Sequence, residues 1–185
     1  DISLLMQNEI AEVFEPSAEG RGGSSAMPQK NNPVGSAVAL AASIRVPALV
    51  SVMLTAMVQE NERGLGNWHA EWETLPEICL LTSGALQHMT QVLGGLRIDA
   101  ARMAQNLELT RGQIYAEAVT MTLAKRLGKS GARRLVEEAL QQAGARQLHL
   151  REVLSENPKV RELLSADDLQ ELFKAGNYLG SAAAL

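Results

Sequence analysis

Residues 20–35 read GRGGSSAMPQKNNPVG and gather groups that can do chemistry. Ser24 and Ser25 supply hydroxyls, Lys30 a cation and Asn32 an amide. A second polar set lies at residues 59–69, with Gln59, Glu60, Asn61, Glu62, Arg63, Asn67 and His69. Arg63 presents a planar, permanently charged fork suited to a carboxylate. Adding a nucleophile to a double bond conjugated with a carboxylate, or the reverse elimination, passes through a dianionic enediolate. That intermediate needs cations or strong donors at the carboxylate and an acid or base at the adjacent carbon. Lys30, Asn32 and Arg63 are suitable donors. A serine is a poor base at its free pKa, and loop amides with Lys30 could stabilise its charge. The same residues also suit a plain surface loop and a polar helix–helix connection, because loops gather such side chains.

Backbone chemistry sharpens the first stretch. Gly22 and Gly23 open conformations closed to other residues just before the serines. Pro28 and Pro33 restrict the chain again and push their predecessors out of helical space. A glycine-hinged segment of this kind reads as a mobile catalytic lid.

The run Gly23-Ser24-Ser25-Ala26-Met27-Pro28-Gln29-Lys30-Asn31-Asn32-Pro33 resembles the GSSxMPxKxNP signature of the fumarase/aspartase superfamily. Within it, Glu62-Arg63-Gly64-Leu65-Gly66 and the run from Trp68 to Pro76 resemble the bacterial 3-carboxy-cis,cis-muconate cycloisomerases, as do Asp99-Ala100-Ala101-Arg102-Met103 and Tyr178-Leu179-Gly180. The resemblance implies Ser24 as the proton-transferring residue and Lys30 as the group that steadies the enediolate. It implies Ser25, Asn32, Arg63 and His69 as substrate-binding, with Met27 contributing a backbone amide. The implied reaction closes 3-carboxy-cis,cis-muconate to 4-carboxymuconolactone by internal carboxylate addition, in the protocatechuate branch of the β-ketoadipate pathway of aromatic catabolism. The implied assembly is a homotetramer whose active sites combine segments from three subunits; the single cysteine and a start without a basic n-region fit a reducing cytoplasm. Family members are more than twice this long, so the chain is expected to be a C-terminal part. An adenylosuccinate lyase-like C–N lyase is the alternative enzyme; there the stretch holding Trp68, His69 and Trp72 carries nucleotide phosphate ligands instead. A catalytically inactive scaffold of the same fold is the alternative of another class.

The elements that must position these residues are helical. Alanine and leucine are abundant, aromatic residues make up 3%, and no segment sustains strand alternation. The expectation is an all-α fold. It has a long-helix bundle over residues 1–95, the C-terminal part of a central helical domain, and a small helical domain over 96–185. Residues 1 to about 15 read as an amphipathic helix closed by Pro16. Residues 34 to about 60 are apolar nearly all round, which predicts a helix buried on every side, kinked at Pro47 and covered by oligomerisation. Thr74-Leu75-Pro76-Glu77 has the form of a capping box, although the helix could start near Trp68. Leu75, Ile78, Leu81, Leu86, Met89 and Val92 are expected inward. Asp99 is expected to cap residues 100–107, Leu127-Gly128 to stop a helix, and Ser165 with Asp168 to cap the last one.

Composition excludes several classes. A net charge of −4 gives no reason to expect nucleic acid or an anionic membrane as partner. The one cysteine, Cys79, is expected as a buried structural thiol. Arg45 interrupts the apolar run, so no membrane span is expected. His69, His88 and His149 lack ligand spacing, and no metal site or cofactor is predicted. His88 and His149 read as helix-surface residues. No Gly-rich nucleotide-binding motif is present.

Overall fold

The computed structural model describes residues 1–17, 22–23, 26–27 and 30–184. Among them the fold is all-α, with one pair of two-residue strands. It divides into two compact units, Asp1–Arg102 and Met103–Leu185.

The first unit is built on two long helices, α2 (Val34–Ala56) and α3 (Asn67–Gly94). Ahead of them lies only one turn of helix, α1 (Ile2–Leu5). The amphipathic helix expected over residues 1–15 does not continue. Ala11 takes φ +55, and the chain turns into a strand, β1 (Val13–Phe14). That strand pairs antiparallel with β2 (Arg97–Ile98), Val13 opposite Ile98. The composition changes near residue 95, but this pairing ties residues 97–98 to the first unit. Asp99 then caps α4 (Ala100–Glu108), its Oδ1 accepting the Arg102 amide at 2.8 Å.

Helix α3 starts at Asn67 and runs through Pro76 without a break, so Thr74 is not a cap. It is buried, and its hydroxyl donates back to the Ala70 carbonyl at 2.6 Å. Of the α3 residues expected inward, Val92 is fully buried, whereas Leu75 and Leu86 are exposed. Cys79 is exposed as well. The reason is common to all: α2 and α3 cover one face of each other and leave the remaining faces open. In α2 itself Ile44 is 75% exposed and Leu54 62%. An apolar helix that the sequence predicts buried all round is thus half uncovered within one chain. Helix α2 is also long and apolar enough, by length and composition, to cross a membrane. Arg45 does not prevent that; it pairs with Glu77 of α3.

The second unit has a conventional core. Its main element, α5 (Ala116–Arg146), is interrupted at Gly128, which has φ +71, ψ +162, as the Leu127-Gly128 pair predicts. Short helices α6 (Leu150–Glu156), α7 (Pro158–Leu163) and α8 (Ala166–Glu171) pack beside it. Val119, Leu123, Leu150, Leu154 and Val160 are essentially inaccessible. Ser165 and Asp168 form the expected capping box, with the Asp168 amide donating to Ser165 Oγ at 3.1 Å. His149 is not a surface residue. It caps α6 by accepting the Arg151 amide on Nδ1 at 3.1 Å, lies 3.2 Å from Glu108 and packs on Phe173.

Candidate active site

The described part of the signature stretch is closed at its base by its own side chains. Gly22, in the left-handed region at φ +75, offers its carbonyl to the Asn32 amide at 2.8 Å and to Asn32 Nδ2 at 3.1 Å. Asn32 therefore closes the loop as well as facing the cleft beyond it. The Lys30 amide donates to the Met27 carbonyl at 3.0 Å, forming a tight turn. Ser24 and Ser25 lie outside the described residues.

Met27, Lys30 and Asn32 line one cavity of about 810 Å³, facing Gln7, Asn8 and Glu9. One lysine, the side-chain amides of Gln7, Asn8, Asn31 and Asn32, and one carboxylate, Glu9, line the open cleft there, a polar set suited to a small, highly oxygenated ligand. The opposite wall comes from the turn after α1.

Arg63 and His69 are not part of that cavity. Arg63 sits on the connection between α2 and α3, at the other end of α2, and His69 in the first turn of α3. A helix of 23 residues spans about 34 Å, and α2 stands between the two sets within one chain. The connection is tightly built. Gln59 accepts the Gly64 amide on Oε1 and donates from Nε2 to the Ala56 carbonyl, both at 2.6 Å. Asn67 donates its side-chain amide to the Val58 carbonyl. His69 Nδ1 accepts the Gly66 amide at 3.3 Å, which leaves Nε2 to carry the proton of the neutral ring.

Arg63 itself adopts φ +57, a conformation costing a residue with a Cβ about 1–2 kcal/mol. Its guanidinium lies 5.9 Å from the Trp68 ring centre. Trp68 in turn meets Trp72 edge to face at 5.0 Å. The result is an exposed cation over one indole, which a second indole supports. Among the described residues no cluster of three His, Cys, Asp or Glu side chains could hold a metal ion.

A model of the lyase family matches residues 1–48, and a model of the adenylosuccinate lyase C-terminus matches residues 112–185. The 3-carboxy-cis,cis-muconate cycloisomerase of Pseudomonas putida is 57% identical over 169 residues, 91% of this chain and 40% of that protein. The enzyme of the same name from Pseudomonas aeruginosa is 54% identical over 184 residues, 100% of this chain and 40% of that protein. The crystal structure of 3-carboxy-cis,cis-muconate lactonizing enzyme from Pseudomonas putida superposes with a TM-score of 0.90 at 52% identity. It covers 100% of this chain and 40% of that one.

The chain belongs to the fumarase/aspartase superfamily. It spans about 40% of the length of the curated relatives it matches. In this fumarase/aspartase chain the signature falls on the loop leading into α2, and the Arg63 turn falls on the far end of the same helix. Two residues that matter to the geometry were not legible beforehand. Glu15, at the end of the stretch whose spacing predicts an amphipathic helix, is 3% exposed and holds the start of α2. Gln59, read as one polar residue among several, clamps the turn that presents Arg63. A buried glutamate followed by proline before a Gly-rich loop carried a signal, but only once the helix was known to end early.

Proposed function

We propose that the protein is a 3-carboxy-cis,cis-muconate cycloisomerase, acting without metal or cofactor on a small polycarboxylate. One observation carries the reading: Met27, Lys30 and Asn32 line a single cleft against Gln7, Asn8 and Glu9 of the preceding turn. One substrate carboxylate attacks the diene and closes the lactone ring. Charge moves onto the carboxylate conjugated with the reacting double bond, giving an enediolate. Lys30 stabilises that charge, Met27 offers its amide, and Ser24 moves the proton at the adjacent carbon. Ser25, Asn32 and His69 bind the substrate, and Arg63 pairs with a second carboxylate. Trp68 and Trp72 occupy ground where a nucleotide substrate would need phosphate ligands, which favours the cycloisomerase over a C–N lyase acting on adenylosuccinate.

Lys30 and Arg63 are separated by the length of α2, so a site using both takes them from different copies of the chain. The uncovered apolar faces of α2 and α3 supply the means. Packing against the same helices of other copies would bury Ile44 and Leu54 and account for a membrane-like helix without a membrane. The assembly is a homotetramer with active sites shared between subunits, in the cytoplasm.

The test follows the conjugated-diene absorbance of 3-carboxy-cis,cis-muconate with full-length protein and a chelator, and adenylosuccinate in a parallel cuvette. Rapid loss of the diene is expected. Fumarate release from adenylosuccinate, or silence in both cuvettes, refutes the assignment.

A further inference from the structure

Among the described residues, the most deeply buried acid of the first unit takes no part in the chemistry proposed above. Glu15 is 3% exposed, and its carboxylate accepts the Gly35 amide at 2.9 Å and the Ser36 amide at 2.7 Å. These are first-turn donors of α2, which its N-cap residue Pro33 does not satisfy with a side chain. The first turn is otherwise accounted for: the Val34 amide donates to the Asn32 carbonyl and the Ala37 amide to the Pro33 carbonyl, both at 2.9 Å. A buried carboxylate is costly unless its oxygens are paired, and the positive end of a 23-residue helix is a favourable place for it.

Glu15 is itself held from the other side. It follows β1 directly, and β1 is paired with β2. The next residue, Pro16, lies so close to Gly95 that a Cβ on the glycine would come within 2.7 Å of it. The carboxylate thus joins a fixed strand to the point where the signature loop becomes α2. Together with the Asn32–Gly22 closure it fixes both ends of the segment carrying Met27 and Lys30.

We propose that Glu15 is a positioning residue for the signature loop: it sets where Lys30 and Asn32 stand in the cleft by anchoring the first turn of α2. The proposal rests on the functional reading for the roles of those two residues. Because Lys30 acts on charge that develops during the reaction, misplacing it should lower kcat more than it raises KM.

The experiment uses full-length Glu15→Ala and Glu15→Gln proteins. In Glu15→Ala, kcat should fall about 100-fold with KM within about threefold, as expected for small displacements of a reacting group. Added formate should restore at least about tenfold of the loss, because a small anion fits the vacated end of the helix, whereas chloride at equal ionic strength should not. Amide exchange at Gly35 and Ser36 should accelerate. Faster exchange with unchanged kcat in the folded tetramer overturns the positioning role and leaves the function standing. If Glu15→Ala fails to fold, Glu15→Gln, which keeps one acceptor oxygen, should show the same kcat-selective loss at about tenfold, and an unchanged kcat overturns the proposal. If the wild-type protein does not consume the diene, the functional reading fails by itself. The anchoring is then decided by exchange and by tryptic cleavage after Lys30: an unchanged pattern in both variants overturns it.

Discussion

Gly112→Ala should destabilise the second unit severely, although it adds one methyl group. Gly112 sits at φ +80, where a residue with a Cβ pays about 1–2 kcal/mol. The new Cβ would lie inside the van der Waals shell of His149 Cε1, 2.7 Å from Nε2 and 3.0 Å from Phe173 Cε1. Neither ring can retreat cheaply. His149 is tied through Nδ1 to the Arg151 amide and faces Glu108, while Phe173 packs against Tyr115 at 5.5 Å. Overpacking of this kind costs about 1–3 kcal/mol, so the sum is about 2–5 kcal/mol. The assay is available in the composition: both tryptophans, Trp68 and Trp72, belong to the first unit and both tyrosines, Tyr115 and Tyr178, to the second. In this 185-residue chain, urea unfolding followed by near-ultraviolet dichroism, with the tryptophan contribution fixed separately by fluorescence excited at 295 nm, therefore distinguishes the second unit from the first. His149→Ala alone should cost about 1–2 kcal/mol through the lost cap. The double variant should be more stable than the two single losses predict, by about 1–3 kcal/mol, because removing the ring removes the clash. A Gly112→Ala protein within about 0.5 kcal/mol of wild type, or strict additivity in the double variant, would refute the reasoning.

Three further outcomes are expected. Lys30→Ala and Arg63→Ala in the full-length protein should each lower kcat/KM by about 2.7–4 kcal/mol of transition-state stabilisation, the scale for removing an aligned donor; near-normal turnover of the diene sinks those roles. Ile44→Asp should break the assembly, since it places a charge on the most exposed apolar face of α2, and sedimentation should show smaller species; an unchanged tetramer locates the interface elsewhere. Arg146 hydrogen-bonds Glu156 at 2.5 and 3.1 Å and holds its carboxyl below the ordinary range, the hydrogen bond being the first cause. With a lowered folded pKa, this contribution is present above the ordinary glutamate range and is lost as the pH falls through it to the folded value. Arg146→Ala should flatten the acid limb of stability in that window, and parallel profiles would remove the pair from the account.

What the sequence made legible follows from how local each signal was. Gly128 and the Ser165–Asp168 box were readable because a positive φ or a cap is settled within a few residues. Lys30 and Asn32 were readable as donors for the same reason, and the cavity brings them together with Met27. The misreadings came from partners distant in sequence. Residues 1–15 have helical spacing, yet Val13 and Phe14 are drawn into pairing with residues more than eighty positions later. Helical periodicity cannot register that. Leu75 and Leu86 satisfy the apolar period of α3 and still face outward, because the pattern records which residues need cover without saying whether this chain provides it.

The same limitation explains why the proposed site reads as two halves. Each half is locally coherent: a loop closed by Asn32 on Gly22, and a turn clamped by Gln59 with Arg63 braced on Trp68. Between them stands α2, which holds its ends about 34 Å apart in any single copy. A rigid spacer lined with uncovered apolar side chains is a poor way to build one active site and an effective way to build several at once. Burying the helix against its copies would bring the Lys30 end of one chain to the Arg63 end of another. On that reading the hydrophobic face of α2 is a catalytic requirement as much as a stabilising one, and an interface substitution such as Ile44→Asp should abolish turnover while leaving the isolated chain folded.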